Sequence, residues 1–143
     1  MNVTTIKHLI KLSFTNRSNE MITLSLGKVK PDLREKLQVL GIDVKGFEHI
    51  IDNFAIRHTV LGHGNAKKEE ARGLLPVTLD CLEMIPDIIL NPDSISIGGK
   101  NKIGRLVILY TKRVNGFIVY VEEIRTKRKF LAMQTMYIKK APR

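Results

Sequence analysis

The sequence predicts an α+β domain in which N-terminal helices pack on a four-stranded antiparallel β-sheet formed by the last third of the chain. Three observations predict it. Apolar residues recur at helical spacing between Pro31 and Leu90, the period changes to two from Ser94 onward, and Asn115-Gly116 marks a tight hairpin in the second half. With 143 residues and 43% apolar content, residues 1–143 are expected to form one domain with one core. Cys81 is the only cysteine, so neither an internal disulfide nor a cysteine-based zinc cluster can form.

The elements follow in order. Residues 1–21, an apolar stretch at 6–12 followed by a polar gap, are expected as a peripheral segment, residues 22–92 as a strand and helices, and residues 93–140 as the sheet. Ile22, Leu24 and Leu26 alternate with polar neighbours, as in a half-buried strand ended by Gly27. Pro31-Asp32 opens a short helix that sets Leu33, Leu37 and Leu40 on one face, and Gly41 stands where a left-handed C-cap is wanted. Phe47, Ile50, Ile51, Phe54 and His58 fit one buried helical row ending near Gly62, which puts His58 on the core-facing side. His63 would lie about 140° around an unbroken helix from His58, so the two rings share a site only if Gly62-His63-Gly64-Asn65 ends the helix. Thr78 caps a further short helix, Pro86 restarts it, and Asn91-Pro92-Asp93 makes a turn. Residues 94–97, 105–111, 117–124 and 130–138 then read as an antiparallel meander. A two-residue Asn115-Gly116 turn would set Val114 opposite Phe117 and Lys112 opposite Val119. By parity Thr135 shares a face with Leu131, Met133 and Tyr137.

The formal charge of +10, from 24 Lys and Arg against 14 Asp and Glu, predicts attraction to polyanions through salt-sensitive phosphate contacts. Nucleic acid leads as partner, against the plainer reading of a solvated positive face. No apolar run approaches the ~20 residues of a membrane span, and polar residues interrupt the N-terminus too early for a signal-peptide core, so a soluble, cytoplasmic protein is expected.

Several ordered motifs coincide: His58-x-x-x-x-His63-Gly64, Glu69-Glu70 with Arg72-Gly73, Ile85-Pro86-Asp87-Ile88-Ile89, Asn91-Pro92-Asp93, and Thr135-Met136-Tyr137 near the end. From the segment near Phe47 to Tyr137 the chain resembles the phage-associated branch of the barnase, EndoU, colicin and RelE-like nucleases. The resemblance implies N-terminal helices joined to a four-stranded antiparallel sheet. It also implies a metal-independent, cofactor-free ribonuclease of phage or toxin type. It places catalytic positions on His58, His63, Lys112 and Thr135, and matches Arg72 and Tyr137 more loosely; these two and the basic Arg125 are the candidates for holding substrate. Gly62 departs from the pattern, since relatives often carry a basic residue just before the second histidine.

Metal-free RNA cleavage needs a base for the 2′-hydroxyl, a cation for the phosphorane and an acid for the departing 5′-oxygen. His58 and His63 would divide the acid and base roles, Lys112 would stabilise the anionic oxygens, Thr135 would donate to the phosphate, and the product would be a 2′,3′-cyclic phosphate. Each residue also has a plainer reading: a partly buried helical His58, a helix-terminal His63, a solvated strand-end Lys112 in competition with Lys102, Arg105, Arg113 and Arg125, and a sheet-packed Thr135. A zinc site from His58, His63 and Asp80 fits the usual ligand spacings poorly. RNA, tRNA included, is the expected substrate of a monomer, and an acidic immunity or antitoxin protein is the partner that family and charge imply. The alternatives are a non-catalytic RNA-binding or phage structural module, and behind it an RNA-modifying transferase, for which no glycine-rich cofactor motif is present.

Overall fold

In the computed structural model, which describes residues 1–16 and 19–140, the strands form one mixed sheet whose inner face is covered by helices. In chain order the elements are β1 (Asn2–Val3), α1 (Ile6–Thr15), β2 (Thr23–Lys28), α2 (Pro31–Val39), β3 (Glu48–Asp52), α3 (Asn53–His63) and α4 (Ala66–Ala71). They continue with β4 (Leu74–Leu75), α5 (Leu79–Glu83), α6 (Ile85–Leu90), β5 (Ser94–Lys100), β6 (Leu106–Arg113), β7 (Phe117–Arg125) and β8 (Phe130–Lys139). The strand order is β1-β2-β3-β8-β7-β6-β5, and β4 pairs with the C-terminal end of β8.

The expected antiparallel meander is present as β5 to β8. It is one half of a larger sheet, because β3 adds parallel to β8, β2 antiparallel to β3, and β1 parallel to β2. The helix expected from Phe47 is therefore corrected: residues 48–52 are a strand and the helix begins at Asn53. Ile50 and Ile51 are both buried, one on each face of an interior strand, so an adjacent apolar pair fits helical and buried-strand spacing alike. Asp52 decides the boundary, its carboxylate accepting from the Ala55 N–H at 2.8 Å as an N-cap.

That shift reorients the whole helix. The inward row of α3 is Ile56, Val60 and His63, with Thr59 also buried, whereas Phe54, His58 and Leu61 face outward. The apolar spacing in the sequence puts His58 on the buried row; the structure puts His63 there instead. α3 also takes the place of a strand. It starts just after β3, whose Ile50 pairs with Ala132 of β8, and it ends with the His63 ring against Tyr137. Eleven helical residues rise about 16 Å and five strand residues about 17 Å, so α3 runs alongside the stretch of β8 left between its β3 and β4 pairings.

The first residues, expected at the periphery, belong to the core. Thr5 caps α1, whose fully buried Leu9 and nearly buried Ile10 pack with α3 and α5 around the sheet's inner face. α2 matches expectation, with Leu33 and Leu37 buried and Gly41 at φ +85°, although Leu40 falls beyond the helix and is half exposed. Thr78 and Pro86 begin α5 and α6 as read from the sequence.

Two local features fix which side chains reach which face. The β6–β7 connection has three residues rather than two: Arg113 pairs with Phe117, and the Val114 N–H donates to the Gly116 carbonyl at 2.9 Å. Val114 thereby packs against the main core, and Lys112 pairs with Ile118 instead of Val119. In β8, Val121 faces Thr135 while Glu122 faces Met133, so Gln134 is an extra, bulged residue. Leu131 and Met133 point into the main core with Met136 and Ile138, and beyond the bulge Thr135 and Tyr137 point to the other face. The shared face expected for all four of Leu131, Met133, Thr135 and Tyr137 is corrected accordingly.

Gly116 has φ +128°, and a Cβ there would lie 2.8 Å from the Lys139 carbonyl oxygen, a backbone atom that cannot swing away. Gly116→Ala is expected to cost about 1–3 kcal/mol. Gly62→Ala, inside α3 with open space around it, is expected to be neutral or stabilising by up to about 1 kcal/mol. Urea midpoints at unchanged m-value separate the two, and equal effects would contradict the turn geometry.

Candidate active site

The sheet face away from the helices carries the candidate site. Register and alternation set Val107, Leu109, Val119, Val121, Thr135 and Tyr137 on this outer face, where the three valines form a small cluster of their own with Leu109 and Tyr137. Thr135 and Tyr137 are both half-buried, so their hydroxyls stand on an apolar floor open to solvent. Burial raises the Tyr137 phenol above its ordinary pKa of 10.0, which keeps it a neutral hydrogen-bond donor near neutral pH.

His63 overhangs this floor from the end of α3. Its ring centroid is 5.9 Å from that of Tyr137, and its backbone carbonyl accepts from the Val77 N–H at 2.7 Å. Its Nδ1 lies 3.0 Å from Oε2 of Glu69, a carboxylate fully buried under α4. An ionised carboxylate can only accept, so Nδ1 carries the hydrogen and Nε2 of the neutral ring holds the free lone pair. Glu69 is a residue that sequence reasoning did not assign. Its charge is balanced by Arg72, whose Nη1 donates to Glu69 Oε1 at 2.5 Å and to the Gly62 carbonyl at 2.6 Å. Arg72, expected to hold substrate, thus ties α4 to the end of α3 and keeps the Glu69–His63 pair in place. Asn65 begins α4 as its N-cap, accepting from the Lys68 N–H at 3.0 Å, and the docked helix turns Glu69 inward while Glu70 stays exposed.

The other predicted residues are not brought to this point. α3 continues through His63, so His58 remains about 140° away on its solvent-exposed side. Lys112 points to the helix-covered face, donating to the Asn91 carbonyl at 2.7 Å and lying 3.4 Å from Asp87. Cations that do share the outer face near Tyr137 are Arg113 and Lys139, both exposed and flanking Phe117 across neighbouring strands. The Arg113 guanidinium sits over that ring, 5.5 Å from its centroid.

Arg125 occupies the far end of the same face. Glu123, four residues and roughly 13 Å along β7 from Val119, accepts from Arg105 at 2.6 Å and from Arg125 at 2.7 Å. Asn101 reaches over from the β5–β6 connection to bond both Glu123 and the bulged Gln134. Beyond them lies a groove of about 1090 Å³ whose lining includes Arg105, Arg125, Lys127, Arg128 and the acids Glu48 and Asp52. Among the described residues no three His, Cys, Asp or Glu side chains converge as metal ligands would, and Asp80 does not join the histidines. Among them, too, no helix is long and apolar enough to cross a membrane.

Comparison with known proteins supplies a family. The profile of the phage-Barnase-EndoU-ColicinE5/D-RelE like nuclease3 family matches residues 27–142, most of the chain. The chain belongs to that nuclease family. No curated protein and no solved structure matched it. The family match runs from the last residues of β2 past the end of β8, and so includes α3, Glu69, Thr135 and Tyr137.

Two outcomes follow from this geometry. With the His63 imidazole in its neutral form, nitrogen-15 NMR should find its proton on Nδ1; an Nε2–H tautomer would show that Glu69 does not orient the ring. Burial alone would raise the Glu123 pKa, but hydrogen bonds and charge from Arg125 and Arg105 outweigh it and hold the carboxyl below its ordinary 4.5. A depressed folded-state pKa contributes stability above 4.5 that is lost as pH falls through the folded value. Urea titrations over that acid range should therefore show a steeper loss for wild type than for Glu123→Gln.

Proposed function

We propose that this nuclease is a metal-independent endoribonuclease that works on the outer face of its sheet with His63 as the proton-transfer group. The observation that carries the reading is the His63–Glu69 pair: a partly exposed imidazole, its Nδ1 held by a fully buried carboxylate, over a floor bearing two hydroxyls. Nε2 takes the proton of the ribose 2′-hydroxyl as the 2′-oxygen attacks phosphorus. The 5′-oxygen then departs with the proton that the imidazolium carries, which leaves a 2′,3′-cyclic phosphate and a neutral His63. Thr135 and Tyr137 donate to the non-bridging oxygens, where charge builds in the transition state, and Arg113 and Lys139 supply positive charge at the rim.

Substrate would lie along the face from this end toward Arg125. The groove lined by Arg125, Lys127 and Arg128 suits the backbone of a single strand, since such cations hold phosphates without reading bases. The chain's +10 charge supports RNA association that weakens as salt rises. In this reading His58 and Lys112 lie outside the chemistry, and the acid and base roles first divided between two histidines fall to one.

Cleavage of total cellular RNA in excess EDTA tests it. Wild type should yield 2′,3′-cyclic phosphate ends, His63→Ala should lose about 10²- to 10⁴-fold in rate, and His58→Ala and Lys112→Ala should stay within about threefold of wild type. Products with 5′-phosphates, or a loss in His58→Ala equal to that in His63→Ala, would sink the mechanism. Intact RNA bound with steep salt dependence would favour the non-catalytic RNA-binding module.

A further inference from the structure

A second polar cluster lies on the inner, helix-covered face, and the proposed RNA chemistry does not use it. Glu122 of β7 is fully buried; it accepts from the Tyr110 hydroxyl at 2.5 Å and from His49 Nδ1 at 2.8 Å. His49 reaches it from β3, across β8, and is itself only 3% exposed. A carboxylate this deep is tolerable only with such donors, and they hold the imidazole in a fixed orientation. Burial, followed by the charge and hydrogen bond of Glu122, pushes the Tyr110 hydroxyl well above its ordinary pKa, so it stays a donor.

Among the described residues Glu122 is the only hydrogen-bond partner of the His49 ring, which leaves Nε2 unpartnered. His49 lines a cavity of about 580 Å³ between α2 and α6, a volume in the range of small-molecule sites. Leu33, Ile89 and Ile95 give the cavity apolar walls, and Lys30 and Lys36 bring two positive charges against the single negative charge of Asp32. The nine-residue helix α2 opens onto the same space, and its N-cap, Lys30, provides no side-chain cap for the first-turn N–H groups. A buried imidazole with a free nitrogen, two lysines and the uncapped start of a helix thus line one partly apolar cavity.

We propose that this cavity binds a small phosphomonoester of nucleotide size. Its phosphate sits between Lys30, Lys36 and the start of α2, where a dianion gains more than a single carboxylate would. Its body lies on Leu33, Ile89 and Ile95 over His49. The site is on the opposite face of the sheet from His63 and is independent of the RNA-cleavage reading.

The test is a titration of the full chain with AMP, UMP, inorganic phosphate and hexanoate, followed by NMR of the His49 ring and of the Leu33, Ile89 and Ile95 methyls. AMP or UMP should give saturable shifts at these four residues, and the Lys30→Ala/Lys36→Ala double variant should weaken binding at least tenfold. Both lysines are exposed, so that variant keeps the fold. His49→Gln, which retains a polar partner for Glu122, should also weaken binding if it folds. The proposal is overturned if no nucleotide saturates these signals, if shifts appear at Thr135 and Tyr137 instead, if the lysine variant binds as tightly as wild type, or if hexanoate binds in preference to AMP.

Discussion

The arrangement of side chains on both faces depends on one extra residue. Gln134 bulges out of β8, and without it regular alternation would send Thr135 and Tyr137 into the helix-covered core and Met136 and Ile138 to the outside. The bulge keeps Leu131 and Met133 buried on one side of it and restores burial to Met136 and Ile138 on the other, so the core is continuous while two hydroxyl-bearing residues are left on the open face. Asn101 bonds the Gln134 side chain, which anchors the irregularity to the β5–β6 connection and to Glu123. A local interruption of the ladder therefore separates a packed face from an open one.

The edge of β8 poses the second constraint. β3 covers the beginning of that edge and β4 its end, and α3 fills the interval with a helix of matching length. Because α3 must lie against β8, its inward row is fixed, and that row ends in His63. Glu69 and Arg72 then convert a helix terminus into a positioned imidazole. The buried carboxylate requires two donors, and it obtains them by clamping the two groups on either side of it. Stability and orientation have the same source here.

Each face of the sheet carries a carboxylate–histidine pair, Glu69 with His63 outside and Glu122 with His49 inside. They differ in what surrounds them. The outer pair opens onto a surface with exposed cations, whereas the inner pair borders a cavity of about 580 Å³ between α2 and α6. The one-residue difference in the β6–β7 connection assigns Lys112 to the inner face, where Asn91 and Asp87 occupy its ammonium, and leaves Arg113 on the outer one.

What the sequence by itself determined is whatever depends on local pattern. Alternation gave β2 and the four meander strands, Pro31 and Gly41 bounded α2, Thr78 and Pro86 began α5 and α6, and the ordered motifs pointed to the nuclease family. His63, Thr135 and Tyr137 were legible as candidates for the same reason. Only the tertiary structure decided their company. Ile50-Ile51 fits a strand or a helix equally until β8 is present to pair with it, and the phase of α3, hence the choice of His63 over His58 for the inward row, follows from that pairing. The bulge at Gln134 and the register at Arg113 and Phe117 come from fitting side-chain volumes into a shared core, a constraint set by residues far away in sequence. Glu69 could not be told from Glu70 until α4 had docked, because burial of a charge is settled by the partners that the fold brings to it.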